Sequence, residues 1–300
     1  MLIGFNSLKS SLLDSYHNQK LHHAILLHGK KGIGKSSFIK ELIAEIFSSE
    51  NINHPDLFLI EKEADKREIG VDKIRAIADF ANQTSAISSS KFIIIDSACE
   101  LNKSSSNALL KILEEPRPNN FLILIAHNPN KVLATIKSRC LAIKVNDLSL
   151  SDFSKILREK NPNISADEIE ILSEICDNSP AKAIKDGKAL IDIYDSLLTS
   201  FLNKKIDEKL LKKIADKNFS FEIFAEIFEF FNNRLIKFQS GVELNFYFSE
   251  KEIFLTLANK FETAQIFDIA DQIKDSINKT KSLNLDKKLT FINIFNKICY

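Results

Sequence analysis

Eight residues near the amino end, from Gly29 to Ser36, match the pattern G-x-x-x-x-G-K-[ST] of a phosphate-binding loop. The glycines of such a loop allow its backbone N–H groups to turn inward around phosphate oxygens. Lys35 would neutralise the β and γ phosphates, and the Ser36 hydroxyl would ligate Mg²⁺. The pattern therefore predicts a site for ATP with Mg²⁺, with these residues as its first half: Gly29, Gly32, Ile33, Gly34, Lys35, Ser36 and Ser37.

The second half of such a site is an aspartate at the end of a neighbouring strand. Asp96 ends the apolar run at residues 92–95 and is the candidate that would hold Mg²⁺ together with Ser36. Motor ATPases of this type usually carry a glutamate next, which orients the attacking water, whereas this chain has Ser97. Loss of such a base costs about 10² to 10⁴ in rate. Because Glu100 is expected to face elsewhere, we predict that this chain binds ATP but does not hydrolyse it alone.

Three short apolar runs surround these residues, at 24–27, 92–95 and 121–125. They are rich in branched or aromatic residues and apolar on both faces, which predicts parallel strands that are covered by helices on each side. Helical patterns lie between them at about 34–48, 71–83 and 102–114, the last ended by Pro116. The phosphate loop thus joins a strand to a helix, as its chemistry requires.

The strand-like runs stop after Leu148, and the rest of the chain is helical in pattern. We predict helices over 151–158 and 165–176, and a short helix from Pro180 to near Gly187. The predicted layout is an α/β nucleotide-binding domain at residues 1–146, a small helical domain at 147–188 and a larger helical domain at 189–300.

One predicted helix of the last domain has a stripe of large apolar side chains at alternating spacings of three and four residues: Phe221, Phe224, Phe228, Phe231, Leu235 and Phe238. Aromatic side chains can stack with the bases of single-stranded nucleic acid. Since no Arg or Lys lies within residues 221–231, where most of these phenylalanines are, the stripe is interpreted as core or subunit interface.

The composition limits the protein classes further. With 41 Lys+Arg against 40 Asp+Glu, the chain is not one that coats nucleic acid by bulk charge. Its four cysteines are far apart, which indicates neither a disulfide scaffold nor a zinc ribbon and fits a reducing cytoplasm. No apolar window is long enough to cross a bilayer, and the first twenty residues have helical spacing rather than that of a signal peptide. We expect a soluble cytoplasmic protein.

Six segments, in this order and spacing, resemble the AAA+ clamp-loader subunits of bacterial DNA polymerase III over about residues 1–145. They are residues 20–24 (KLHHA), the phosphate loop, 54–56 (HPD), 71–75 (VDKIR), 107–116 (NALLKILEEP) and 135–140 (TIKSRC). The resemblance implies an α/β P-loop AAA+ domain with a parallel sheet, a helical lid at 147–188 and an all-α collar for oligomerisation at 189–300.

The chain departs from that family in two places. Many relatives carry a four-cysteine zinc module where residues 47–56 contain no cysteine, so no zinc is expected. Ser97 separates the chain from the ATP-hydrolysing gamma/tau subunits and favours the delta-prime members. Some of these have lost the phosphate loop, whereas the intact loop here leaves ATP binding open, and the resemblance implies that such binding is weak or vestigial.

The resemblance also implies roles for two basic residues. The arginine of the Ser-Arg-Cys segment, here Arg139, projects into the nucleotide site of the adjacent subunit and stabilises charge on the γ-phosphate. Lys182 resembles the sensor-2 position, which contacts phosphates of the same subunit, and it is equally well interpreted as a solvated helix lysine. His127 and Asn128 lie near the sensor-1 position but match no sensor type, so the predicted site omits them.

The implied partners are the gamma/tau and delta subunits of the clamp loader in a hetero-oligomer, with the sliding clamp and primed DNA contacted through the complex and no membrane involved. The main alternative is a self-sufficient AAA+ ATPase of the gamma/tau or replication-repair remodeller type, against which Ser97 argues. A small-molecule P-loop kinase would leave the Leu-Glu-Glu-Pro and Ser-Arg-Cys segments unexplained.

Overall fold

The computed structural model describes residues 3–49, 54–63, 66–216 and 220–299. The chain forms two compact units. The first comprises the residues up to Ile156 together with Asn178–Ala181, and the second comprises Leu157–Asp177 and the residues from Lys182 onward. The predicted division at residues 146 and 188 stays a prediction. In the described ranges, no helix combines the length and the apolar character that crossing a membrane needs.

Strands and helices alternate in the first part of the chain. In order they are α1 Asn6–His17, β1 Ala24–His28, α2 Lys35–Ile46, β2 Leu57–Glu61, α3 Val71–Asn82, β3 Lys91–Asp96, α4 Lys103–Glu114, β4 Asn120–Ala126, α5 Ala134–Lys137, β5 Leu141–Lys144 and α6 Leu150–Lys160, with 3-10 helices at Ala98–Glu100 and Pro129–Lys131. The rest of the described chain is helical: α7 Ala166–Ile175, α8 Pro180–Leu202, α9 Glu208–Ala215, α10 Phe221–Gln239, α11 Glu250–Lys260, α12 Thr263–Leu283 and α13 Lys287–Cys299.

The strands form one sheet in the order β2-β3-β4-β1-β5, and every pairing is parallel. The three predicted strands and the predicted α/β class are confirmed. Strand β2 was missed because three of its five side chains are only partly buried and its last is exposed, so the run is less apolar than its neighbours. We call the end of the sheet at which its strands finish the carboxyl end, and the opposite end the amino end.

Hydrophobic clusters cover both faces of the sheet because successive side chains of a strand point to opposite sides. In β3, Ile93 and Ile95 pack into one cluster with α3 and α4 residues, while Phe92 and Ile94 pack into the other with α1 and α2 residues. All four side chains are at most 2% exposed. This two-sided burial explains the continuous apolar runs in the sequence.

The segment His54-Pro55-Asp56 has a structural role. The Asp56 carboxylate accepts hydrogen bonds from the backbone N–H groups of Ala86, Ile87 and Ser88, at 2.7, 2.9 and 2.8 Å. The Ser88 hydroxyl donates a fourth, and although burial opposes the shift, these bonds together lower the pKa of Asp56 to about 2. Asp56 therefore holds the segment that leads into β3.

Helix α8 corrects one prediction. It continues from Pro180 to Leu202 instead of ending near Gly187. A Cβ at Gly187 would lie 3.1 Å from Leu172 Cδ1, so this glycine permits close packing against α7 and does not end a helix. Among the described residues, no strand follows β5, as predicted.

The aromatic stripe lies along one helix, α10, and forms part of the interior of the second unit. Phe224, Phe228 and Phe231 are fully buried. The Phe228 ring contacts those of Phe201, Phe224 and Phe231 at centroid distances of 6.4, 4.9 and 6.4 Å. The interpretation as core is confirmed, since these buried rings are not accessible to a nucleic-acid base.

A buried charge cluster on the same helix was not predicted. Arg234 is 1% exposed, and its guanidinium donates to both carboxylate oxygens of Glu250, at 2.7 and 2.8 Å, and to Glu174, at 2.6 Å. The hydroxyl of Tyr194 also donates to Glu250, and that of Tyr247 donates to Glu174. Since α7, α10 and α11 each contribute a charged member, the cluster fixes their arrangement within the second unit.

We expect Phe228→Ala to destabilise the second unit by about 3 to 5 kcal/mol, because truncation leaves a cavity among rings that cannot fully collapse. Phe267→Ala is the matched control, since Phe267 is 49% exposed and should cost little. Urea unfolding followed by circular dichroism measures both. Equal effects of the two substitutions would contradict the placement of the stripe in the core.

Candidate nucleotide site

The phosphate loop lies between β1 and α2 at the carboxyl end of the sheet. Gly32 and Gly34 have φ values of +80° and +97°, a conformation that favours glycine over residues with a side chain. Gly34 immediately precedes α2, and the first turn of α2 contains no acidic residue. The free N–H groups at this helix terminus are therefore available to an anion.

A cavity of about 380 Å³ opens beside the loop. Its lining residues come from the loop, from the ends of β2, β3 and β4 and the residues that follow them, and from the first turn of α8: Lys31, Gly32, Gly34, Lys35, Ser36, Ser37, Glu61, Lys62, Asp96, Ser97, Glu100, Ile125, His127 and Ala181. Six of the residues predicted from the sequence, including Lys35 and Asp96, thus lie around one cavity.

Lys35 is the central cation of this cavity. Its residue is only 5% exposed, and its ammonium donates hydrogen bonds to the carbonyl oxygens of Gly29 and Lys30, at 2.8 and 2.5 Å. Burial lowers the pKa of Lys35 below its ordinary value, while the nearby Asp96 carboxylate opposes that shift. A buried cation of this kind gains from an anionic ligand, which makes Lys35 suited to a phosphate group.

Ser36 and Asp96 both line the cavity and fit a magnesium ion. In the described part of the chain, no group of three or more His, Cys, Asp or Glu side chains could hold a metal. Mg²⁺ does not need one, because it is commonly bound through one or two protein oxygens together with substrate phosphates and water. When bound, the ion would neutralise phosphate charge, and Ser36 and Asp96 would orient it.

Two predicted loop residues support the site from outside the cavity lining. Gly29 follows β1, and a Cβ there would lie 2.7 Å from the carbonyl oxygen of Val145. Ile33 is buried in the hydrophobic cluster beneath the loop.

Lys182 belongs to the second unit, where its ammonium lies 2.9 Å from a carboxylate oxygen of Glu226. The role of Lys182 at the phosphates stays a prediction.

Glu100 lines the cavity, so the expectation that it faces elsewhere is wrong. It ends the 3-10 helix Ala98–Glu100, and this tight turn brings it back towards the loop. Its carboxylate lies 3.4 Å from the ammonium of Lys62. Lys62 follows β2 directly, so the missed strand also concealed this part of the lining.

Ser97 and His127 form a pair that sequence reasoning left out of the site. The Ser97 hydroxyl oxygen lies 3.2 Å from His127 Nδ1 and accepts the backbone N–H of Cys99. Burial, helped by the charge of Lys31, lowers the pKa of His127, so its imidazole is neutral at pH 7. The signal that could have found His127 is its place one residue beyond β4, at the carboxyl end where ligands bind in such sheets.

Arg139 lies at the opposite end of the sheet. It precedes β5, which runs parallel to β1, whereas the phosphate loop follows β1. The strand from Leu141 to Lys144 alone spans about 10 Å along its axis. Arg139 donates instead to Thr135 O at 3.0 Å and to Glu114 Oε1 at 2.8 Å. It is therefore not positioned on the phosphate loop of its own chain.

Three of the segments singled out in the sequence meet at this amino end. His22, His23, Leu113 and Arg139 line one cavity, together with Ser138, Cys140 and Leu141. Burial raises the pKa of the Cys140 thiol to about 11, so Cys140 is a protonated, packed side chain at neutral pH. The Ser-Arg-Cys segment thus places a partly buried cysteine, packed against the hydrophobic core, directly after a partly exposed arginine.

The parallel sheet, the phosphate loop and the helical remainder define an AAA+ fold. A DNA polymerase III gamma subunit-related protein of Thermotoga maritima has the same fold, with a TM-score of 0.52 and 22% identity over 99% of this chain and 98% of that one. Residues 5–149 match the family described as "DNA polymerase III, delta subunit". This match covers just under half of the chain, and DNA polymerase III delta-prime subunits are among the proteins to which the chain is similar.

Two curated relatives show the extent of the likeness. The DNA polymerase III subunit delta' of Pseudomonas aeruginosa is 31% identical over 178 residues, which cover 54% of each chain. The DNA polymerase III subunit gamma of Buchnera aphidicola is 32% identical over 230 residues, which cover 70% of this chain and 62% of that protein. The matches thus span between half and two thirds of the relatives' own length.

Replacement of Lys35 by alanine should weaken binding of ATP with Mg²⁺ at least tenfold, because a charged hydrogen bond to phosphate contributes about 1.5 to 3 kcal/mol. Isothermal titration calorimetry of the purified chain measures the affinity. Lys155→Ala, which removes an exposed lysine of α6, is the control and should bind ATP as the unmodified chain does. Equal affinity of the Lys35 variant and the control would rule out this cavity as the phosphate site.

Proposed function

We propose that the chain is a delta-prime-type subunit of the clamp loader of DNA polymerase III in DNA replication. It binds ATP with Mg²⁺ weakly or moderately at the phosphate loop and hydrolyses it negligibly. Arg139 acts in trans, in the nucleotide site of a neighbouring gamma/tau subunit. Together with the gamma/tau and delta subunits, the chain takes part in loading the sliding clamp onto primed DNA.

The separation of Arg139 from the phosphate loop is the observation that carries this proposal. The loop lies at the carboxyl end of the sheet and Arg139 at the amino end. An arginine finger needs its guanidinium on the γ-phosphate oxygens. Because Arg139 instead bonds to Thr135 and Glu114 of its own chain at the far end, a phosphate that it serves belongs to another molecule.

The residue after Asp96 supports the lack of hydrolysis. Ser97 lines the cavity, and its hydroxyl is engaged with His127 and with the backbone of Cys99. Glu100, one of the carboxylates that line the cavity, is paired with Lys62. A base that activates water must be within hydrogen-bond reach of that water, and an ion-paired carboxylate is less available for this role.

The delta-prime relative gives further support at 31% identity over 54% of each chain. The family match over residues 5–149 contains both the phosphate loop and Arg139. Both relatives are named as subunits of DNA polymerase III, which supports the gamma/tau and delta subunits as the partners proposed for this chain.

In a complex reconstituted with those subunits, Arg139→Ala should remove ATP turnover at the one site that this chain completes, where an arginine finger supplies about 10³ to 10⁵ in rate. Total turnover should fall only partly, because other sites keep their own arginines. Arg139→Lys should rescue poorly, since it keeps the charge but loses the planar pair of donors. Steady-state phosphate release and clamp loading onto primed DNA are the measurements.

The fold and the ATP affinity of the isolated Arg139→Ala chain should remain unchanged, because Arg139 is not at its own phosphate loop. Thermal unfolding and calorimetry provide this control. If complexes with Arg139→Ala assemble, hydrolyse ATP and load clamps at the unmodified rate, the trans role is wrong.

A self-sufficient ATPase of the gamma/tau type is the second candidate. Two observations favour it: the gamma subunit of Buchnera aphidicola matches 70% of this chain, and Glu100 lies at the cavity. In that case Glu100, released from Lys62, would be the base that activates water.

Steady-state ATP turnover by the isolated chain separates the two candidates. We expect the unmodified chain to hydrolyse ATP no faster than the Lys35→Ala variant does, because Ser97 replaces the usual base. Turnover well above that background that Glu100→Gln abolishes would instead support the ATPase. Glu63→Gln, a change to an exposed carboxylate that does not line the cavity, is the matched control.

A further inference from the structure

The contact between Arg139 and Glu114 joins two segments that are far apart in sequence. Glu114 is the last residue of α4, and Arg139 follows the single-turn helix α5. Since α4 lies between β3 and β4, its last turn returns to the amino end of the sheet, next to the start of β5. The chain topology therefore brings this carboxylate to the arginine.

The guanidinium of Arg139 is held from two sides. Its Nη2 donates to Glu114 Oε1 at 2.8 Å, and its Nη1 donates to Thr135 O at 3.0 Å. Since a guanidinium is planar, two bonds from different nitrogens fix both its position and the orientation of its plane. The side chain stays 36% exposed, and within the described chain its Nε–H has no hydrogen-bond partner. The group is thus oriented while part of it faces solvent.

We propose that Glu114 is a positioning residue for Arg139, an inference that rests on the proposed trans role. Glu114 and Thr135 hold the guanidinium in one orientation before the neighbouring subunit arrives. Its remaining donors are then directed away from the chain, towards the phosphate of the partner's nucleotide. Without Glu114, Arg139 would sample several rotamers and would reach the phosphate geometry only part of the time.

A role in stability alone does not account for this pair. Glu114 is 50% exposed, and ion pairs at such exposure contribute little to folding. Catalytic geometry is far more sensitive, because a misplacement of about 1 Å can cost 10²-fold in rate. The next residue, Glu115, is also exposed. Its replacement by alanine removes the same charge, so Glu115→Ala provides a matched control.

The test uses the chain reconstituted with its gamma/tau and delta partners, and it compares Glu114→Ala, Glu114→Gln, Glu115→Ala and Arg139→Ala. The ATP turnover that Arg139→Ala removes is the part of the total turnover that depends on the arginine. We expect Glu114→Ala to lower the maximal rate of this arginine-dependent turnover about tenfold. The KM for ATP should be unchanged, because Glu114 acts on orientation and not on binding. Glu114→Gln should stay within about twofold, since its amide oxygen still accepts from Nη2.

Each outcome decides the proposal. Three results would overturn the positioning role: full turnover with Glu114→Ala, an equal loss with Glu115→Ala, or a Glu114→Gln variant as slow as Glu114→Ala. In each of these cases a loss with Arg139→Ala would still support the trans role. Unchanged turnover with Arg139→Ala overturns both. Equal thermal midpoints of the isolated Glu114→Ala and Glu115→Ala chains exclude a folding defect as the cause.

Discussion

The pairing of β1 with β4 on one side and β5 on the other is the constraint on which the functional part of the molecule depends. In a parallel sheet every strand ends at the same side, so each connection after a strand begins beside its neighbours. The phosphate loop, Asp96 and His127 are far apart in sequence and meet only for this reason. A shift of one residue in the pairing would turn the buried side chains of these strands to the opposite face.

The parts of the fold with strong periodicity could be predicted from the sequence. Strands buried on both faces give unbroken apolar runs, and α10 gives a stripe at helical spacing, because burial demands apolar side chains at fixed intervals. Strand β2 could not be found in this way, since it lies at the margin of the sheet and only Ile60 is buried. The length of α8 was underestimated because Gly187 carries no local mark that distinguishes close packing from a helix end.

The candidate site was predictable to a similar degree and for related reasons. A phosphate loop is a local motif, so its residues are contiguous and recognisable. Glu100 and the Ser97–His127 pair depend on a tight turn and on the alignment of separate strands, which no local pattern records. Asp56 belongs to a segment that carries the family resemblance, and the structure gives this residue a structural role, because its hydrogen bonds hold a loop.

The placement of the phosphate loop and Arg139 at opposite ends of parallel strands gives the molecule a direction. In the proposed assembly, contact through Arg139 would join the amino end of one molecule to the carboxyl end of the next. Such an interface is heterologous, unlike a symmetric dimer contact in which both partners use the same patch. A row of such molecules has two distinct termini, one with an arginine that meets no nucleotide and one with a nucleotide site that meets no arginine. A chain with the proposed properties, which donates its arginine but does not hydrolyse ATP, would be suited to only one of these termini.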